Sequence, residues 1–183
     1  MQVKTVSVYL QNVLIFNIKM DFTWKARFVL DGHKTPDPEG STWAGVVARD
    51  SVCIALTYAA LNDIDICAAD ILNAYLQAPS SEIHYIKCGL EFGLENVGKQ
   101  AKIVRALYGG KTSGRDFRNH LRSCMDHLLE FKSCEADPDV WRRSAVKANG
   151  AKYYEYALLY VDDLLMISEN AKMVLRTEIG KYI

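Results

Sequence analysis

Tyr156-Ala-Leu-Leu-Tyr-Val-Asp-Asp-Leu-Leu-Met-Ile167 sets two adjacent carboxylates, Asp162 and Asp163, inside an otherwise apolar run. The flanking residues, 153–160 and 164–167, read as two strands around a tight connection. Such a turn ordinarily takes Asn-Gly or Asp-Gly. A carboxylate in an apolar strand pair is costly to desolvate, so something must offset it. A bound cation is one candidate. A solvated turn between two core strands is the plain alternative.

A second carboxylate stands at the end of another apolar stretch. Residues 65–71 read as a short strand, with Ile66-Cys-Ala-Ala69 running into Asp70. Alone, such an Asp is a cap or turn residue. If the two strands lie side by side, three carboxylates converge, which is the donor set of a two-metal phosphoryl-transfer site. Mg²⁺ takes oxygen ligands and shares them with substrate phosphates.

Around these strands the pattern is mixed. Residues 3–20 and 25–30 read as strands, and 31–45, with Gly32, Pro36, Pro38, Gly40 and Gly45, reads as loop. Asp50 or Ser51 is a candidate cap for a helix to about Asn62, with Val52, Ala55, Leu56, Ala59 and Ala60 on one side. Residues 83–87 and 101–105 are further strand candidates. Thr112 or Ser113 caps a second helix to about Phe131, its apolar face being Phe117, Leu121, Cys124, Met125 and Leu128. Ser168 opens a last helix that runs to Ile183. The order predicts an α+β fold, with helices on one face of a largely antiparallel sheet.

Leu107-Tyr-Gly-Gly-Lys-Thr-Ser-Gly114 holds two glycines that allow close backbone approach, then Lys111 and a helix start that suit a phosphate. It lacks P-loop spacing, and a strand-to-helix turn is the plain alternative. Lys111, Arg115, Arg118 and Arg122 form a basic stripe, read as a solvated helix face or a nucleic-acid track. Lys25 and Arg27 share one face of their strand and suit triphosphate or template; a solvated edge is the alternative. His120, Cys124 and His127 share a helix face without a fourth zinc ligand.

The 183 residues carry 22 basic and 22 acidic side chains, so the total charge neither favours nor excludes a nucleic-acid partner. Five scattered cysteines without a CxxC suggest buried thiols in a reducing compartment. The apolar stretch from Val6 to Ile18 is interrupted and too short to span a bilayer. The expectation is an intracellular protein, cytoplasmic or nuclear, neither secreted nor membrane-bound.

Five ordered blocks carry a resemblance: Trp24-Lys-Ala-Arg-Phe-Val29, Ala69-Asp-Ile-Leu-Asn-Ala-Tyr-Leu76, Arg105-Ala-Leu-Tyr-Gly-Gly-Lys-Thr-Ser-Gly114, Ala136-Asp-Pro-Asp-Val-Trp141 and Leu159-Tyr-Val-Asp-Asp-Leu-Leu165. In order and spacing they resemble the reverse transcriptases of copia-type LTR retrotransposons. The resemblance implies the fingers and palm of a right-hand polymerase, with residues of about 1–62 and 78–112 fingers-like, the remainder palm-like, and the thumb absent. It implies RNA-directed DNA polymerisation with two Mg²⁺ or Mn²⁺ ions, held by Asp70, Asp162 and Asp163. Tyr75 resembles the aromatic gate against a ribose 2′ hydroxyl. Gly109 and Lys111 resemble the loop at the incoming nucleotide, and Lys25 and Arg27 the contacts to its triphosphate. Arg115, Arg118 and Tyr160 are the implied nucleic-acid contacts. The implied partners are an RNA or DNA template with primer, a dNTP, and the rest of a retrotransposon polyprotein. The alternative is a truncated, inactive remnant with at most weak nucleic-acid binding.

Overall fold

Ala157, Leu158 and Leu159 are all buried, and so are Met166, Ile167 and Ser168. Neighbours along a strand face opposite sides of a sheet. Both strands of the carboxylate hairpin are therefore covered on both faces, which is why they read as continuous apolar runs rather than alternating ones.

The computed structural model describes residues 9–10 and 12–182. Its strands are Tyr9–Leu10 (β1), Asn12–Ile18 (β2), Trp24–Leu30 (β3), Ile66–Asp70 (β4), Tyr85–Lys87 (β5), Gln100–Lys102 (β6), Lys132–Ser133 (β7), Val140–Val146 (β8), Lys152–Tyr160 (β9) and Asp163–Ile167 (β10). Its α-helices are Arg49–Asn62 (α1), Ala74–Gln77 (α2), Ser113–Ser123 (α3) and Ala171–Met173 (α4). The fold is α+β, and its sheets are antiparallel except where β1 pairs with β5. The chain divides into two compact units, Met1–Trp43 with Tyr75–Phe117 and Ala44–Ala74 with Arg118–Ile183. The part of the expected first strand at residues 3–8 and 11, and the end of the last helix at Ile183, lie outside the described residues.

The second unit is built on a five-stranded sheet ordered β4-β10-β9-β8-β7. Helix α1 lays Ala55 and Ala59 against Leu158, Ile167 and Val140, with Tyr58 and Tyr156 packed at the border. The buried side of α1 is thus narrower than its apolar composition suggests: Leu56 is exposed, and Val52 and Tyr58 complete the contact. The helix also starts two or three residues earlier than the expected caps imply. Neither Asp50 nor Ser51 caps it, because its N-cap is Ala48, which has no capping side chain. The acceptor comes from 89 residues away, where Asp137 Oδ2 accepts from the Ala48 N–H at 2.9 Å and from Ser51 Oγ at 2.6 Å.

In the first unit β2 and β3 form a hairpin, and β1, β5 and β6 form a small sheet. Leu30, Ile86 and Ile103 make its core, with Phe28, Ala101 and Leu107 against them.

Two helices depart from their expected course. After α3 the chain passes through a π-helical stretch, Cys124–Leu128. The wider turn shifts the face, so Leu128 is 51% exposed while Leu129 is buried. The last helix begins at Ala171 rather than at Ser168. Ser168 is buried and donates to Glu155 Oε1 at 2.6 Å. Glu155 in turn receives two bonds from Arg143, whose Nη1 also reaches Glu178 at 2.7 Å. This network ties the C-terminal segment to β8 and β9. Of the cysteines, all free, Cys88 and Cys124 are buried, Cys67 and Cys134 are partly so, and Cys53 is exposed.

The cap at α1 has a pH signature. Burial alone would raise the Asp137 carboxyl, but hydrogen bonds from Ser51, Ala48 and Asp139 overcome that and hold it below its usual range. A depressed folded value gives stability that is full above the unfolded value and lost as pH falls through the folded one. Asp137→Ala is expected to cost about 1–2 kcal/mol at neutral pH by urea unfolding. The gap to the native chain should shrink progressively below about pH 5. A gap constant down to acid pH would refute a charged cap.

Candidate active site

Strand β10 lies between β4 and β9, and its register with each is unbroken. Asp163 pairs with Asp70 on one side and with Tyr160 on the other. Directly opposite residues share a sheet face, so Tyr160, Asp163 and Asp70 form one row across three strands. Asp162 sits in the two-residue turn before β10. Its carbonyl accepts the Ile71 N–H at 2.7 Å, which extends the β4–β10 ladder past the carboxylates.

Two like charges directly opposite on neighbouring strands repel. Among the described residues no cationic side chain pairs with Asp70, Asp162 or Asp163, and none of the three makes a side-chain hydrogen bond. Asp70 and Asp163 are exposed, and Asp162 is partly so. Their donor chemistry suits a hard cation. Among the described residues, however, no three His, Cys, Asp or Glu side chains are gathered closely enough to hold one. The backbone aligns the carboxylates; their side chains are not drawn into a cage. The same holds for His120, Cys124 and His127; His120 Nε2 lies 3.9 Å from the Cys124 sulfur.

The turn carries strain. Val161 has φ of 55°, in the left-handed region that a β-branched side chain avoids. Positive φ at the first central residue alone is the pattern of a type II′ turn, which normally has glycine there.

The remaining candidates of this unit are Arg118 and Tyr160. Tyr160 is 54% exposed beside the carboxylate row. Arg118 is turned inward: its Nε and Nη2 reach the two oxygens of Asp139 at 3.1 and 2.8 Å, with the pair 14% and 4% exposed. Arg122 bonds the Pro138 carbonyl at 2.6 Å and lies over the Trp141 ring.

The first unit holds the other candidates. Lys25 and Arg27 face the same way, opposite Asn17 and Ile15 of β2. The Arg27 guanidinium lies 5.7 Å from the Tyr108 ring centre, and its buried Nε has no hydrogen-bond partner among the described residues. Tyr75 packs on Tyr108, ring centres 5.0 Å apart, and near Phe117. Gly109, at φ of 83°, leaves no space for a side chain: an added Cβ would fall 2.2 Å from the Leu30 carbonyl oxygen. Gly32 is equally constrained, since its Cβ would fall 1.8 Å from the Gly109 oxygen. Lys111 Nζ donates to the Thr35 carbonyl at 2.8 Å and to Asp37 Oδ1 at 2.9 Å. Arg115 donates to the Ser41 carbonyl, to Ser81 Oγ and to Asp116.

The basic stripe is therefore neither a solvated face nor a row of open cations. Each of its four members is engaged within its own unit. Sequence reading gave no role to Gly32, Thr35, Asp37, Asp137 or Asp139, the residues that do the holding. A signal existed for the last two, which sit in the quoted block Ala136–Trp141. Gly32, Thr35 and Asp37 lay hidden in a loop.

A model of the family described as reverse transcriptase (RNA-dependent DNA polymerase) matches residues 5–179. Two curated relatives, the Transposon Ty1-BL and Transposon Ty1-DR4 Gag-Pol polyproteins of Saccharomyces cerevisiae, are each 28% identical to this chain over 163 residues. That alignment covers 88% of this chain and 9% and 10% of the relatives, so the chain spans about a tenth of their length. No solved structure matches.

Two variants test the local physics. Arg118→Ala takes both guanidinium bonds from buried Asp139, leaving it Arg122 at 3.8 Å, and should cost about 3 kcal/mol in urea unfolding. Unchanged stability with weakened nucleic-acid binding would instead make Arg118 a surface contact. Val161→Gly relieves the turn and should raise stability by about 1 kcal/mol; a loss of stability would show that the turn is unstrained.

Proposed function

This chain belongs to the reverse transcriptase (RNA-dependent DNA polymerase) family as a copia-type fragment, and we propose that it contributes the carboxylate and nucleotide-binding parts of RNA-directed DNA polymerisation. The observation that carries this reading is the Asp70–Asp163 pairing, with its two unpartnered like charges at the mouth of adjacent strands. The second unit, with Asp70, Asp162, Asp163 and Tyr160, is the proposed palm-like part. The first, with Lys25, Arg27, Tyr75, Gly109 and Lys111, is the proposed fingers-like part. On that division α1 goes with the palm-like part, whereas the sequence boundary near residue 62 put it with the fingers.

The cation is Mg²⁺ or Mn²⁺, two ions by family resemblance. Oxygen donors without protein partners fit it, and Asp70, Asp162 and Asp163 would hold it. When bound, such ions lower the barrier to nucleotidyl transfer by stabilising the charge on the attacking and leaving oxygens. The chain's own residues do the rest. Asp70 and Asp163 are kept opposite each other by the ladder, which limits how far either can drift. Asp162 is presented by a turn tethered at Ile71. Tyr160, in the same row, offers an aromatic face to a primer end. Tyr75, wedged against Tyr108, gates the sugar, and Lys25, Arg27 and Lys111 supply positive charge to the triphosphate. The template–primer, the dNTP and the remainder of a Gag-Pol polyprotein are the proposed partners. Among the described residues no helix is long and apolar enough to cross a membrane. We place the activity inside the cell, in cytoplasm or nucleus, as the sequence leads one to expect.

Titration of the purified chain with Mn²⁺ or Mg²⁺, followed by thermal unfolding, tests the reading. Removing one of two facing charges should make Asp70→Asn more stable than the native chain without metal. With metal the order should reverse, the native chain gaining about 1.4 kcal/mol at ten times Kd. If neither protein responds, the carboxylates do not assemble in this fragment, and an inert remnant becomes the better account.

A further inference from the structure

We propose that Asp37 is an internal stand-in for an anion on Lys111, and that the ligand which displaces it is a polyphosphate chain. The inference rests on the reading of Lys111 as a phosphate contact and adds how that contact is kept ready and made selective.

Lys111 has two partners of opposite character. The Thr35 carbonyl is fixed. Thr35 is buried, and both its N–H and its Oγ1 bond the Gly32 carbonyl, at 3.1 and 2.7 Å. Gly32 is in turn wedged against Gly109 with no room for a side chain. This partner holds the ammonium in place whatever else happens. Asp37 is loose. It stands between Pro36 and Pro38, its side chain is 97% exposed, and its bond to Lys111 is the only one it makes among the described residues. That bond holds its carboxyl below the usual range, so it is an anion at neutral pH.

The rest of the basic stripe is not like this. Arg115 and Arg118 pair with Asp116 and Asp139, whose side chains are 5% and 4% exposed, and Arg122 bonds the Pro138 carbonyl. Releasing Arg115 or Arg118 would strand a buried carboxylate, and Arg122 also lies 3.8 Å from Asp139. Releasing Asp37 returns a carboxylate to water at little cost, since exposed pairs are worth little. The ammonium has three donors and uses two here. An incoming polyphosphate takes over the Asp37 position and reaches the third donor as well. A monovalent anion merely exchanges one charge for another. Asp37 thus works as a threshold that favours polyanions and keeps lysine oriented in their absence.

The test is titration of the full chain with inorganic tripolyphosphate at low salt in EDTA, which removes the carboxylate metals from the measurement, read by calorimetry or ³¹P NMR. Asp37→Asn should tighten Kd about two- to fivefold, the range an exposed ion pair sets. Glu39→Gln removes an equal charge two residues on, from a residue that makes no bond to Lys111, and should change Kd far less. In a Lys111→Met background Asp37→Asn should have no effect. If Asp37→Asn changes nothing, or Glu39→Gln tightens Kd equally, while Lys111→Met weakens it, the stand-in is wrong and the phosphate contact stands. If Lys111→Met binds like the native chain, or no variant binds at millimolar concentration, the phosphate reading falls and this inference with it.

Discussion

Everything in the second unit depends on the register of β10 between β4 and β9. Side chains in a strand alternate with a period of two, so a slip of one residue would exchange the faces of the whole strand. A slip would carry Asp163 to the face on which Leu164 and Met166 are almost completely buried, where an unpaired carboxylate is too costly. The same constraint that stabilises the core therefore fixes Asp163 opposite Asp70. The carboxylates are positioned by hydrophobic contacts further down their own strands, and the turn between Tyr160 and Asp163 accepts strain at Val161 because those contacts over-determine it.

The backbone extends this fixed row outward. Ile71 donates to the Asp162 carbonyl, Val47 to the Leu159 carbonyl, and the Leu159 N–H to the Asp139 carbonyl. Asp139 also holds Arg118, while Asp137 two residues earlier holds the start of α1. The short segment Asp137–Asp139 thus anchors a helix start, a strand and an arginine together. Its conformation is a consequence of what it binds rather than of its own propensity, with Pro138 limiting the alternatives.

Much of this was legible in the sequence and some was not, for reasons that differ by element. The hairpin and β4 were readable because apolar runs ending in carboxylates are unusual on energetic grounds alone. Strand β8 was missed because Arg142 and Arg143 sit in its middle. It is a strand because Arg143 finds Glu155 and Glu178 and lies over the Phe131 ring, 4.5 Å from its centre, all partners remote in sequence. The cap of α1 was misassigned for the same reason, since a cap supplied from 89 residues away leaves no local mark. The burial of Leu129 in place of Leu128 follows from a π-helical turn that shifts the register without altering which residues are apolar. The carboxylate row could be anticipated as a juxtaposition. What the sequence could not convey is that its side chains remain apart, because that depends on rotamers and on a cation.

Charge shows the same logic at the level of the whole chain. Equal numbers of basic and acidic residues can describe a protein with segregated patches or one whose charges are internally matched. On the stripe of α3 and its approach, matching wins: Arg115 and Arg118 are bound to carboxylates that are themselves shielded, Arg122 lies 3.8 Å from one of these and over the Trp141 ring, and Lys111 alone of the four pairs with a carboxylate fully in water. Buried pairs of this kind lend little net stability but penalise every arrangement that separates them. They therefore specify geometry more than they supply affinity. A polyanion meeting this surface finds most of its positive charge already committed. On the function proposed here, Lys25 and Arg27 on β3, Lys111, and the rigid glycine contact that frames it are the groups of the first unit that would hold a phosphate chain. The cost of freeing each cation ranks them, which a count of basic residues along the sequence does not.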